Sequence, residues 1–193
     1  MAQKVEVIQP SAADPDAEEG RLSRLVDMLA AAGHGRDERG RKRKGKGQRA
    51  KVLVFTATKA RAENLCMALQ TVAIAAERIH GDRPQALRDA ALAAFSTPGK
   101  GSVLVATDVA ARGLHVDDID KVVLYDFVQA KGDTGMEQYV HRVGRCGRAG
   151  RRGTAVSFFV PSVDGGNASF LVRALERSGA DPPAELAALA TGG

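Results

Sequence analysis

The chain has 193 residues, enough to close one ordinary core, and its 44% hydrophobic content is that of a globular protein. Only two cysteines occur, Cys66 and Cys146, far apart and without paired CxxC spacing, which argues against a disulfide framework or a zinc site and makes a reducing intracellular compartment the expectation. No apolar run approaches the roughly 20 residues of a membrane span and no signal peptide opens the chain, so no membrane partner is expected. The net charge of +5 is local: residues 36–51 hold nine Lys/Arg against two Asp/Glu, or +7, leaving −2 for everything else. A polyanion would therefore meet local basic features rather than a diffuse field.

Residues 1–20 are polar, with Pro10, Pro15 and an acidic run, and read as a linker or arm. Leu22, Leu25, Val26 and Leu29 then recur at helical spacing until Gly33. The stretch 34–50 has no apolar periodicity and reads as a flexible basic loop. Within it GRKRKGKG mimics a phosphate-binding loop, but Gly47 stands where a hydroxyl must hold magnesium, and no strand precedes it. Its charge fits a nucleic-acid contact or a nuclear-import signal as well as a solvated loop.

Beyond residue 51 the pattern alternates. Strands are expected at 52–55 (VLVF), 72–79, 102–107 (SVLVAT), 121–127 (KVVLYDF) and 154–160 (TAVSFFV). Helices are expected at 58–70, from Pro84 to Phe95, at 136–147 and at 167–178, and residues 181–193 read as a tail. Short apolar strands alternating with amphipathic helices make an α/β fold, a parallel sheet covered on both faces in a single domain over 21–180. Ligands of such sheets sit at the carboxyl ends of the strands.

Four segments stand just past strands: VLVFTATKARAENL (52–65), HGDRPQALRDAALAAF (80–95), VLVATDVAARGLHV (103–116) and YVHRVGRCGRAGRRG (139–153). In the last, Arg142, Arg145, Arg148 and Arg151 lie three apart with glycine between. Arginine offers a planar, permanently charged fork that fits phosphate oxygens, and residues three apart on a helix or tight turn share nearly one face. Glycines there let another backbone or a nucleotide approach closely.

In order and spacing these segments resemble motifs IV, QxxR, V and VI of the second RecA-like domain of DEAD-box ATP-dependent RNA helicases, strongly over about residues 50–160. His141, where related helicase families carry Gln, favours the DEAD-box branch over a DNA-unwinding relative. The resemblance implies a RecA-like sheet and half of an ATP-hydrolysing RNA helicase. It makes Arg145 and Arg148 arginine fingers on the γ-phosphate of an ATP that, with Mg²⁺, is held mainly by an N-terminal RecA-like domain. His141, Arg142, Asp108, Gly113, His115 and Gly144 fall to ATP and interdomain coupling, and Asp108 would hold the arginines of motif VI. Thr58, Gly81, Arg88, Thr107, Arg112 and Gly113 fall to the RNA backbone.

Phosphate contacts carry no base information, and with 4% aromatics no stacking ladder is available, so sequence-independent RNA binding is expected. His115 stands where the family has an Asp that helps hold the ribose, and Cys146 where it has Thr. Neither the P-loop nor the Asp-Glu-Ala-Asp motif occurs in these 193 residues, so the chain alone is expected not to hydrolyse ATP and to be a monomeric fragment of a longer enzyme, open to protein cofactors. The alternative is a non-enzymatic RNA-binding or protein-interaction module that keeps the fold; paired fingers at 145 and 148 argue against it. Nucleus, cytoplasm and organelle stay open as compartments.

Overall fold

The computed structural model describes residues 1–35, 49–97, 102–108, 119–127, 133–147 and 153–191. Among them six strands form one parallel sheet: β1 (Ala2–Val7), β2 (Val52–Phe55), β3 (Ala76–Ile79), β4 (Val103–Ala106), β5 (Lys121–Leu124) and β6 (Thr154–Phe159), in the order β1-β6-β5-β2-β4-β3. Every pairing is parallel; β2 lies between β4 and β5, with Val54 opposite both Val105 and Val123. The central strands VLVF and VLVA are buried at every position, as apolar strands covered on both faces must be.

Helices α1 (Glu18–Ala31) and α2 (Lys59–Thr71) cover one face, packing Leu25, Met28, Leu29, Leu65 and Leu69 onto Val52, Val54, Val105, Val123 and Phe158. The other face carries α3 (Gln85–Ser96), α4 (Asp133–Val143), α6 (Ala168–Arg177) and α7 (Ala184–Thr191), while a short α5 (Pro161–Asp164) after β6 pairs its buried Asp164 with Arg21 of α1 at 2.9 Å. Phe95, Tyr139, Val143, Phe170, Leu171 and Leu186 meet Leu53, Phe55, Leu104, Leu124 and Phe159 there. Asp14 starts α1 by accepting the N–H groups of Glu18 (2.8 Å) and Glu19 (2.9 Å), and Gly179, at φ +75°, follows the end of α6.

Three expectations change. The polar arm at 1–20 contains a strand: residues 2–7 pair with Thr154–Phe159 at the sheet edge. Only Val5 is fully buried, while Lys4 and Glu6 pair with each other at 2.9 Å, so the segment reads as polar although its backbone completes the sheet. The tail at 181–193 contains α7, anchored by the fully buried Leu186 and by Ser169 Oγ donating to the Ala190 carbonyl at 3.3 Å. The helix expected over 136–147 ends at Val143, and Gly147 turns the chain in the left-handed region at φ +76°. The basic loop over 34–50 falls largely outside the described residues.

Candidate ATP- and RNA-facing site

The carboxyl edge of the sheet gathers the candidates. In the order β3, β4, β2, β5 the strands end in Gly81, in Thr107 and Asp108, in Thr58, and in Asp126. Far apart in sequence, these positions become neighbours because parallel strands end on one side. Thr58 is the N-cap of α2, its Oγ1 accepting the Arg61 N–H at 3.1 Å. Thr107 is buried, and its N–H donates to the Ile79 carbonyl at 3.2 Å. Gly81 leaves space that a Cβ would fill only to 3.9 Å from Lys59 Cε. Arg88 lies half-buried in the first turn of α3, where its guanidinium donates to the Gln85 Oε1. Lys59 pairs with Asp82 beside Gly81 at 2.5 Å.

Arg142 joins the arginine segment to this edge. It comes from the last turn of α4 and is 3% exposed. Its Nε donates to Asp108 Oδ1 and its Nη2 to Asp108 Oδ2, both at 2.6 Å, a two-point fork of the kind a guanidinium makes best. Its Nη1 donates to the Asp126 carbonyl at 3.1 Å, and the guanidinium carbon sits 5.4 Å from the centre of the Phe55 ring. With both edges and one face engaged, Arg142 is a fixed strut. His141, next to it, is exposed.

Past the helix, Gly144 N–H closes onto the Val140 carbonyl at 2.9 Å, and a Cβ on Gly144 would stand 2.9 Å from that same oxygen. Arg145, half-buried, follows in the turn, its N–H on the Arg142 carbonyl at 3.2 Å. A Cβ on Gly153 would lie 2.5 Å from the Gly147 nitrogen and 2.9 Å from Cys146 Cβ, so at this position glycine lets two backbones meet. Arg112, Gly113, His115 and Arg148 lie outside the described residues.

Asp126 was not singled out in the sequence, although a charged residue ending an apolar strand (VVLYDF) is a signal that could have found it. It is 3% exposed; Oδ1 accepts the Ala57 N–H at 2.6 Å and Oδ2 accepts Arg61 Nη1 at 2.9 Å. Burial pushes its carboxyl above the usual range, with Arg61 and the Ala57 N–H pulling the other way. Arg61 also reaches Glu18 at 3.2 Å, and the Tyr125 hydroxyl donates to Glu18 Oε1 at 2.9 Å, which ties α1 to the same edge. Burial pushes the Cys66 thiol up to about 12, which suits a core thiol rather than a reactive one. Among the described residues no cluster of metal-ligating side chains occurs, and no helix is long and apolar enough to cross a membrane.

Residues 38–150 match the family described as helicase conserved C-terminal domain. The chain is 38% identical over all of its 193 residues to a DEAD-box ATP-dependent RNA helicase 40 of Oryza sativa, of which it covers 21%. It is 45% identical over 144 residues, 75% of its length, to DEAD-box ATP-dependent RNA helicase 46 of Arabidopsis thaliana, again covering 21% of that protein. The chain thus spans about a fifth of the length of these relatives. The solved C-terminal domain of the DEAD-box protein Dbp5 superposes with a TM-score of 0.68 at 25% identity, over 94% of this chain and 89% of that one. The order of the four segments, the six-stranded parallel sheet and these likenesses agree that the chain belongs to the family of helicase conserved C-terminal domains, as the second RecA-like domain of the DEAD-box RNA helicase type.

Proposed function

We propose that this domain is the C-terminal half of an ATP-dependent RNA helicase, working against an ATP-binding RecA-like half. The single observation that carries the reading is the Arg142–Asp108 fork, which anchors the arginine segment to the loop after β4 at the sheet's carboxyl edge. Because Arg142 is committed to that fork, it serves as the post on which the next arginines are carried. Arg145 and Arg148 are then the fingers that meet the γ-phosphate across the cleft, where positive charge stabilises the transferring phosphoryl group. ATP and Mg²⁺ rest mainly on the other half, and bound ATP supplies the phosphoryl group that is transferred to water. His141 faces that half from the exposed side of α4, and Gly144, Gly113 and His115 complete the coupling surface.

Thr58, Gly81, Arg88 and Thr107 hold RNA phosphates along the ends of β3, β4 and β2, and Arg112 and Gly113 are assigned to the same RNA backbone by their motif. In this reading ATP and RNA close the two halves together, and closure favours a bent single strand over duplex. The experiment joins the chain to an ATP-binding half and measures RNA-stimulated ATP hydrolysis. Arg145→Ala and Arg148→Ala should each lower kcat by about 10³–10⁵-fold, the worth of an arginine finger in other phosphoryl transfers. Hydrolysis that survives both substitutions removes the finger assignment, and its absence in the joined wild type favours a binding module.

A further inference from the structure

The arginine segment and the turn after β2 reach opposite ends of one residue. Asp126 offers its carbonyl to Arg142 Nη1 at 3.1 Å and its Oδ1 to the Ala57 N–H at 2.6 Å. Ala57 precedes Thr58, and Thr56 Oγ1 donates back to the Thr58 carbonyl at 3.3 Å, so the turn 56–58 is one hydrogen-bonded unit. The same turn is held from the strand side, where the Thr56 N–H donates to the Ala106 carbonyl at 2.9 Å. The Phe55 ring, at its base, lies against the Arg142 guanidinium. A shift of α4 along its axis therefore moves the Asp126 main chain, and the Asp126 carboxylate carries that shift to the turn bearing Thr58.

We propose that Asp126 is a positioning residue that couples the arginine helix α4, on the ATP side, to the Thr58 turn, on the RNA side. The proposal rests on the helicase reading for what lies on each side, but the linkage itself belongs to this chain. Arg61 is the second partner of the carboxylate: it holds Oδ2, while Oδ1 accepts the Ala57 N–H independently. Glu18, also on Arg61, and Tyr125, on Glu18, close the network toward α1. Allosteric coupling requires an element whose position both sites bias, and Asp126 contacts a neighbour of each: Arg142 in the arginine helix and Ala57 beside Thr58.

The first test uses the 193-residue chain alone. Arg142→Lys loosens the contact to the Asp126 carbonyl, and amide hydrogen exchange is followed at Ala57 and, as a reference in the preceding strand β2, at Val54. The linkage predicts exchange at Ala57 accelerated about tenfold beyond any change at Val54. In an Asp126→Ala background the same Arg142→Lys change adds nothing specific at Ala57. Equal acceleration at both amides means general destabilisation and overturns the linkage.

The second test uses the chain joined to an ATP-binding half, and reads the ratio of ATP KM without and with RNA. Asp126→Ala should cut that ratio about tenfold, within the span of known coupling factors. Asp126→Asn, which keeps an oxygen for the Ala57 N–H, should recover part of it. Arg61→Gln, which breaks the same ion pair but keeps the Ala57 bond, serves as the stability control and should leave most of the ratio. A ratio in Asp126→Ala that equals that of Arg61→Gln overturns the coupling role. If the joined wild type shows no RNA-stimulated hydrolysis, the helicase reading fails and takes the functional half of the proposal with it, while hydrogen exchange still decides the linkage.

Discussion

Replacing Arg142 by alanine tests the strut at the centre of the site. The substitution removes two 2.6 Å bonds to Asp108, one 3.1 Å bond to the Asp126 carbonyl and the stacking on Phe55. It leaves the Asp108 carboxylate without its guanidinium. Breaking a buried pair by deleting one partner costs about 3–5 kcal/mol. The Asp108 side chain is 19% exposed against 4% for Arg142, so water softens the loss and the lower end applies. Adding about 0.5–1 kcal/mol for the aromatic contact gives a loss of about 3–4 kcal/mol. For a domain of this size each kcal/mol moves Tm by about 2–4 °C, so the drop should be near ~10 °C.

Arg142→Lys keeps the charge but not the fork and should lose about half as much. Scanning calorimetry of the 193-residue chain, with urea unfolding at an unchanged slope, measures both. A loss under about 1 kcal/mol for the alanine variant, no more than one ordinary hydrogen bond contributes, would refute the strut.

Three other outcomes test separate parts of the molecule. Gly153→Ala must push its new Cβ away from the Gly147 nitrogen, 2.5 Å off, and should cost about 1–3 kcal/mol in a thermal melt; wild-type stability would mean that the turn yields freely. The Arg78 guanidinium, and after it His80, hold the Glu63 carboxyl below its ordinary 4.5, so the folded state releases that proton more readily than the unfolded chain. Glu63 therefore contributes stability above pH 4.5 that is lost as pH falls through its folded value, and the stability gap between wild type and Glu63→Gln should narrow on acidification in urea melts. A gap that widens below pH 4.5 contradicts the sign. Binding of single-stranded RNA to the chain alone should be weak, with a log–log salt slope of roughly −2 for about three phosphate contacts; a slope near zero would count against the groove.

Much of the fold was legible because the relevant signals are local. VLVF and VLVA are short apolar runs that only a doubly covered strand accommodates, and Leu65 and Leu69 mark the buried side of α2 by spacing alone. The ends of the chain were not legible for the opposite reason. AQKVEV offers one buried valine among charged neighbours, and its strand exists because the edge of β6 supplies hydrogen bonds that the sequence cannot display. AELAALAT looked like a tail until α6 and the sheet gave Leu186 a place to be buried.

The spacing of the arginines was visible, but not their division of labour. Arg142 and Arg145 are three apart, yet one is locked inside against Asp108 and the other sits in the turn, because α4 stops at Val143.

The sequence by itself determined the α/β class, the motifs and their order, since each is written in residue type and spacing over a dozen positions. Only the tertiary structure decided which motifs touch. Parallel strands are joined by crossovers, so neighbours in the sheet need not be neighbours in the chain. Placing β2 between β4 and β5 brings Ala57, Asp108 and Asp126 to one edge. There, burial leaves each charge few partners, and Arg142 satisfies Asp108 and the Asp126 carbonyl at once.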